Sequence, residues 1–171
     1  MKDPAQTGAG EARPSELTSH PILLYDGVCG LCNGSVQFIL RHDRDAVFRF
    51  AALQSSLAAR ILARHGADPA DLDTVYVLLN HDLTEREAAG KDPAQPDAAG
   101  ESLFTRSDAV MFVLRQLGGV WGAIAFLMRL IPRPARNWGY NLVARYRYRI
   151  FGRYDMCPLP SADTRARFLD L

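Results

Sequence analysis

The first strongly apolar segment, PILLYD at residues 21–26, is continuous rather than alternating and is bounded by Pro21 and by Asp26-Gly27. A run of that kind suits a central strand buried on both faces. The spacing then changes. Val36, Ile39 and Leu40 recur at helical intervals, which predicts a helix over residues 33–44. Residues 46–53 (AVFRFAAL) alternate as a second strand, and residues 54–66 (QSSLAARILARHG) read as a helix stopped by Gly66. TVYVLL at 74–79 is rich in β-branched and aromatic residues, as strands are, and GESLFTR at 100–106 reads as its hairpin partner.

Residues 85–100 (EREAAGKDPAQPDAAG), polar and rich in Pro, Gly and Ala, read as a flexible loop inserted in that hairpin. Ser107 and Asp108 look like the cap and first turn of a helix that runs through AVMFVLRQL to Gly118-Gly119. The last third reads as two helices broken at Pro132 and Pro134. Strand and helix alternate and a hairpin follows, the order of an α/β domain with a mixed sheet flanked by helices. The expected organisation is a tail over residues 1–20, the main domain over 21–118, and a helical extension over 119–171 packed on the same domain. No internal repeat is visible.

Composition changes this picture little. In 171 residues, 48% are hydrophobic and 23% charged, as in a globular protein of one domain, and the net charge of +1 singles out no partner class. Residues 1–20 carry Pro, Gly and charge in place of the apolar core of a secretory signal. The longest apolar run, residues 120–128, is too short to span a bilayer, which takes about 20 residues. Three cysteines fit a reducing compartment better than a secreted disulfide framework. The cytoplasm is the expected location.

The chemistry concentrates at Cys29-Gly30-Leu31-Cys32, where the first strand turns into the first helix. Free N–H groups and the helix dipole at such a place favour a thiolate. One helical turn brings residues i and i+3 close enough to form and reopen a disulfide. Gly30 is expected to leave the approach to the sulfurs open. On this reading Cys29 attacks and Cys32 resolves. Two rivals stay open. Cysteines also serve as buried core filler. A zinc site wants four ligands, and the further candidates Cys157, His20, His42, His65 and His81 are scattered without ligand spacing. A C-x5-R phosphatase loop fails at Ser35 and Phe38, and a D-x-D phosphoryl-transfer pair fails at Leu24 and Val28.

LLYDGVCGLCNGSVQFILRHDR, with FRFAALQS after it, closely resembles the DCC family of thiol-disulfide oxidoreductases, whose hallmark is an Asp three residues before the first cysteine of the pair: here Asp26, Cys29 and Cys32. The resemblance continues at RSDAV (106–110), LIPRPAR (130–136) and YNLVARYRYRIFGR (140–153), and covers roughly residues 21–160. It implies a thioredoxin-like fold with the pair at the head of the first helix. Tyr146 departs from the Asn usual at its position, and the loop over 85–100 enlarges a hairpin that is usually tight. Thioredoxins place a cis-proline before the third strand, facing the disulfide; here that stretch reads DLDTVYV, so substrate is handled differently.

Asp26 has two readings: a group that bonds the loop or relays a proton to a cysteine, or plain Asp-Gly turn chemistry. Arg145, Arg147, Arg149 and Arg153 interleave with Trp138, Tyr140, Tyr146 and Tyr148. Basic residues among aromatics can bind nucleic acid, yet Trp138, Leu142, Val143, Tyr146 and Ile150 form a helical apolar stripe, so these are expected in the core with solvated arginines beside them. FLMRLIP (126–132) is expected as a buried helix over the sheet, with a partner or membrane surface as the alternative. The sequence therefore points to a thiol-disulfide oxidoreductase that needs no organic cofactor or metal. Its partners would be a protein or small-molecule disulfide and a recycling dithiol system, with no nucleic acid and no transmembrane segment. The alternative is a non-enzymatic redox sensor or partner-binding module with a basic C-terminal helix. Cys157 is a third redox player or an inert thiol.

Overall fold

The apolar run at the start of the chain becomes the middle of a sheet. In the computed structural model, which describes residues 20–68, 71–79, 101–154 and 161–169, β1 (Ile22–Tyr25) is buried at every position. It pairs in parallel with β2 (Arg49–Ala52) and antiparallel with β3 (Tyr76–Leu79), which pairs antiparallel with β4 (Ser102–Thr105). The strand order is β2-β1-β3-β4. Helix α1 (Gly30–His42) makes the parallel crossover from β1 to β2. The remaining helices are α2 (Ser56–Arg64), α3 (Arg106–Leu117), α4 (Gly119–Arg129) and α5 (Arg133–Phe151). This is the expected α/β fold, a mixed sheet with helices in a thioredoxin-like arrangement.

Two-residue alternation along β1 builds two cores. Ile22 and Leu24 join Ile61 and Leu62 of α2 on one face. Leu23 and Tyr25 join Val36 and Ile39 of α1 and Ala109 and Val113 of α3 on the other. The chain end returns to the open edge of β2, where Phe168 bridges Phe50 and the Leu169 N–H donates to the Phe50 carbonyl at 2.9 Å. Arg167 pairs with Asp43 beside it. That covering limits stray pairing at an exposed edge.

Three expectations are corrected. The first concerns the helix cap. The cap of α3 is Thr105, without a side-chain bond, while Ser107 is buried and donates to Asn137 Oδ1 of α5. Asp108 receives Arg133 and Arg136. Asp108 keeps its expected place in the first turn of α3, and both residues fasten α5 to the domain, while Thr105 takes the cap position expected of Ser107.

The second concerns the helices at the C-terminal side. Gly118 and Gly119, both at positive φ, let the chain turn from α3 into α4, and α4 then packs chiefly on α3. Instead of lying buried over the sheet, Phe126, Leu127, Leu130 and Ile131 face solvent, Leu130 at 74% exposure. The third is the orientation of α5. Trp138, Leu142, Val143, Tyr146 and Ile150 are exposed, Trp138 at 68% and Ile150 at 69%. The opposite face (Arg136, Asn137, Tyr140, Ala144, Arg147 and Tyr148) turns toward α1 and α3. The periodicity was legible; its direction was reversed by the hydrogen bonds that the polar face finds inside.

The tail over 1–19, the loop over 85–100, His81 and Cys157 lie outside the described residues. Among the described residues, no helix is long and apolar enough to cross a membrane.

Candidate active site

β1 ends at Tyr25 and hands the chain to a turn in which the Cys29 N–H donates to the Asp26 carbonyl at 3.3 Å. Cys29 is the N-cap of α1, with extended backbone angles, and its Sγ accepts the Cys32 N–H at 3.3 Å. An N–H at a helix start favours negative charge on the atom it bonds. Both cysteines are free thiols one turn apart, Cys29 fully buried and Cys32 half-buried. Burial pushes the Cys32 thiol up from its ordinary 9.0; its hydrogen bond to Cys29 and the charge there add to the rise, and Arg147 opposes it. Asn33 braces the loop by donating to the carbonyls of Gly27 (2.7 Å) and Cys29 (3.0 Å).

Asp26, also fully buried, is ringed by donors. Its Oδ1 accepts the Val28 N–H at 3.1 Å and Gln54 Nε2 at 2.8 Å, while Oδ2 accepts Arg147 Nη2 at 3.2 Å and the Tyr148 hydroxyl. Gln54 completes a clasp by accepting the Gly27 N–H at 3.1 Å. The bond to Val28 is the expected turn chemistry; the other three join the turn to the segment after β2 and to α5. Arg147, 3% exposed, also donates to the Leu72 carbonyl at 2.9 Å and meets Asp73 Oδ1 at 3.1 Å. Burial works against its charge, but the hydrogen bond to Tyr148, the charge there, and the neighbouring thiols Cys32 and Cys29 outweigh it and raise its pKa. A buried cation therefore stands within electrostatic reach of both sulfurs.

The stretch before β3, where thioredoxins keep their cis-proline, is tied to α5 instead. The Tyr140 hydroxyl accepts the Val75 N–H at 2.9 Å and donates to the Asp73 carbonyl at 3.3 Å.

Cys29 owes its burial to the chain just past α5. Tyr154 N–H donates to the Val28 carbonyl at 2.8 Å, Gly30 N–H donates to the Gly152 carbonyl at 3.2 Å, and Cys29 and Arg153 form an isolated bridge. Gly30 is where this strap comes closest: a Cβ there would lie 2.1 Å from the Phe151 carbonyl oxygen. The expectation that Gly30 opens the approach to the sulfurs is thus corrected, because its missing side chain makes room for backbone.

The histidines considered as zinc ligands bond elsewhere. His20 Nδ1 meets the Val47 carbonyl, His42 Nδ1 the Phe38 carbonyl, and His65 pairs with Glu101. Sequence reasoning singled out Asp26, Cys29 and Cys32, which the fold brings together. It missed Gln54, Tyr148, the strap at 152–154 and the burial of Arg147. One signal was available: an aspartate at the end of a fully buried strand needs a cation, and the arginine-rich segment had no acid of its own.

Comparison with known proteins identifies the family of the chain. The model of the DCC1-like thiol-disulfide oxidoreductase family matches residues 23–153. The chain is 34% identical over 155 residues to the uncharacterized protein YuxK of Bacillus subtilis, covering 91% of this chain and 98% of that protein. It is 35% identical over 144 residues to a chloroplastic DCC family protein of Arabidopsis thaliana, covering 84% of this chain and 72% of that one. No solved structure matches.

Proposed function

Because the chain belongs to the DCC1-like thiol-disulfide oxidoreductase family, we propose that Cys29 and Cys32 carry out thiol-disulfide exchange, Cys29 as nucleophile and Cys32 as resolving thiol. The observation that carries this is the placement of Cys29 Sγ at the head of α1, accepting the Cys32 N–H, with the Arg147 guanidinium nearby. The Cys29 thiolate attacks one sulfur of a substrate disulfide, forming a mixed disulfide and expelling a thiolate that takes up a proton. Cys32 then loses its proton and attacks the Cys29 sulfur. The Cys29–Cys32 disulfide forms, the second substrate thiolate leaves, and two electrons have passed to substrate. A cytoplasmic dithiol system, as the cysteine usage suggests, returns the pair to the reduced state.

The raised pKa of Cys32 suits the resolving role, since a protonated Cys32 leaves Cys29 as the reactive sulfur. Asp26 is a positioning residue in this reading: it fixes the turn before Cys29 and holds Arg147 in place. One observation favours a second reading, a redox sensor without turnover, namely the full burial of Cys29 beneath the strap.

The test is a glutathione redox titration of the full chain, with thiols counted by alkylation and intact mass, beside an insulin-disulfide reduction assay. A reversible two-thiol transition that Cys29→Ser abolishes, together with turnover, is the expected result. A reversible transition without turnover leaves the sensor reading in its place. Thiols that stay reduced at every potential reject both.

A further inference from the structure

We propose that the outward face of α5, with the turn before it and the exposed side of α4, docks the protein on an anionic lipid surface. The inference is independent of the redox reading and goes beyond it.

Helical geometry sets Trp138, Leu142, Tyr146 and Ile150 on one face at four-residue intervals. All four are exposed. Arg145 and Arg149, seven residues on from Trp138 and Leu142, border that stripe, and both are exposed. On α4 the large apolar residues Val120, Phe126 and Leu127 are exposed as well, and so are Leu130 and Ile131 in the turn between α4 and α5. Monomeric proteins rarely leave a helical stripe of large apolar side chains such as that of α5 in water.

Charge names the occupant. Residues 119–154 contain seven arginines, no lysine and no acid, in a chain whose net charge is only +1. Arg136 and Arg147 are spent on buried pairs, and Arg133 on Asp108. Arg129, Arg145 and Arg149 are exposed and make no ion pair among the described residues. Arginine beside aliphatic residues, with Trp and Tyr between them, is the make-up of a helix lying in the plane of an anionic interface.

Other occupants fit less well. A nucleic acid would use the arginines and leave Leu142, Ile150, Leu127 and Leu130 wet. A second copy would set arginines against arginines, because a two-fold interface repeats the same patch on both sides. The two longest stretches outside the described residues are unsuited too: residues 1–19 and 80–100 offer only Met1, Leu17 and Leu83 as large apolar side chains. No described helix is long and apolar enough to span the bilayer, so the attachment is to its surface.

The experiment is co-sedimentation of the full chain with vesicles of phosphatidylcholine and phosphatidylglycerol in equal parts, against phosphatidylcholine alone, at low and high salt. Tryptophan emission is followed in parallel, and analytical ultracentrifugation reports self-association. The expected result is binding to the anionic vesicles that weakens with salt, with a blue shift lost in Trp138→Phe. Arg145→Glu/Arg149→Glu and Leu142→Ser/Ile150→Ser should each reduce partitioning about tenfold or more. These side chains are exposed, and an unchanged far-UV spectrum and melting temperature will verify that the variants fold. Three results overturn the proposal: no sedimentation with anionic vesicles, sedimentation that neither pair of changes affects, or a dimer that Leu142→Ser/Ile150→Ser dissolves while vesicle binding is absent.

Discussion

The two faces of α5 obey opposite rules. Toward α1 and α3 it turns Arg136, Asn137, Tyr140, Arg147 and Tyr148, and toward solvent Trp138, Leu142, Tyr146 and Ile150. The sheet does the reverse and buries its apolar residues on both sides. In the sheet the driving force is removal of apolar area from water. At α5 the polar groups find better partners inside than water offers: Arg147 and Tyr148 meet the buried Asp26, Ser107 meets Asn137, and Tyr140 meets the backbone before β3. The apolar stripe is left facing out, and two of the inner contacts, those of Arg147 and Tyr148 with Asp26, hold the cysteine turn.

The sharpest way to break this contrast is to substitute each face in turn. Arg147→Met strands the Asp26 carboxylate in a dry site, and removing one member of a buried pair costs about 3–5 kcal/mol. Urea denaturation should show a loss of that size, whereas Ile150→Ser on the outer face should stay within about 0.5 kcal/mol. If the two variants have equal midpoints, α5 is not held by its polar face.

Next in size is the closure between α5 and the cysteine turn. Gly30→Ala puts a methyl group where the Phe151 carbonyl oxygen sits, so the strap over Cys29 must move. Overpacking of this kind costs about 1–3 kcal/mol. The more telling readout is alkylation of Cys29, located by peptide mass, which should become faster than in the parent protein. An unchanged rate with a lowered melting temperature would mean that the strap does not control access to the sulfur.

The sheet was legible in the sequence because its strands follow rules that depend on few neighbours. PILLY is apolar throughout, TVYVLL is β-branched and aromatic, and SLFT pairs with YVLL. The turn into the helix at Cys29 was legible for the same reason. What could not be read was direction. A stripe at helical spacing says that a helix has two faces, but which one turns inward depends on what the rest of the fold offers. Here it offers Asp26, the Leu72 carbonyl and the Val75 N–H, which lie 121, 75 and 65 residues from their partners along the chain. Gln54 and the strap were hidden for a like reason: each matters only through a contact between distant parts of the chain.

The smallest effect tests the inner face through its protons. Burial pushes the Tyr140 hydroxyl from 10.0 up to about 12, against the opposing pull of the Val75 N–H. Burial and the bond to Asp26 raise Tyr148, and burial with its bond to Cys29 raises Cys32. Each is an acid that the fold keeps protonated. An unfolded chain gives up these protons first as the pH climbs past about 9 to 10, so the unfolded state binds fewer protons than the native one and stability falls with pH. The contribution is fully present below the unfolded pKa values and is lost progressively above them. Tyr140 alone should account for roughly 1 kcal/mol by pH 11, since one pKa unit is about 1.4 kcal/mol. Melting temperatures measured under reducing conditions from pH 8 to 11 should decline, and less steeply in Tyr140→Phe, which keeps the ring and has no proton to lose. Parallel curves for the two proteins would place the Tyr140 hydroxyl in water and return the inner face of α5 to the ordinary rule.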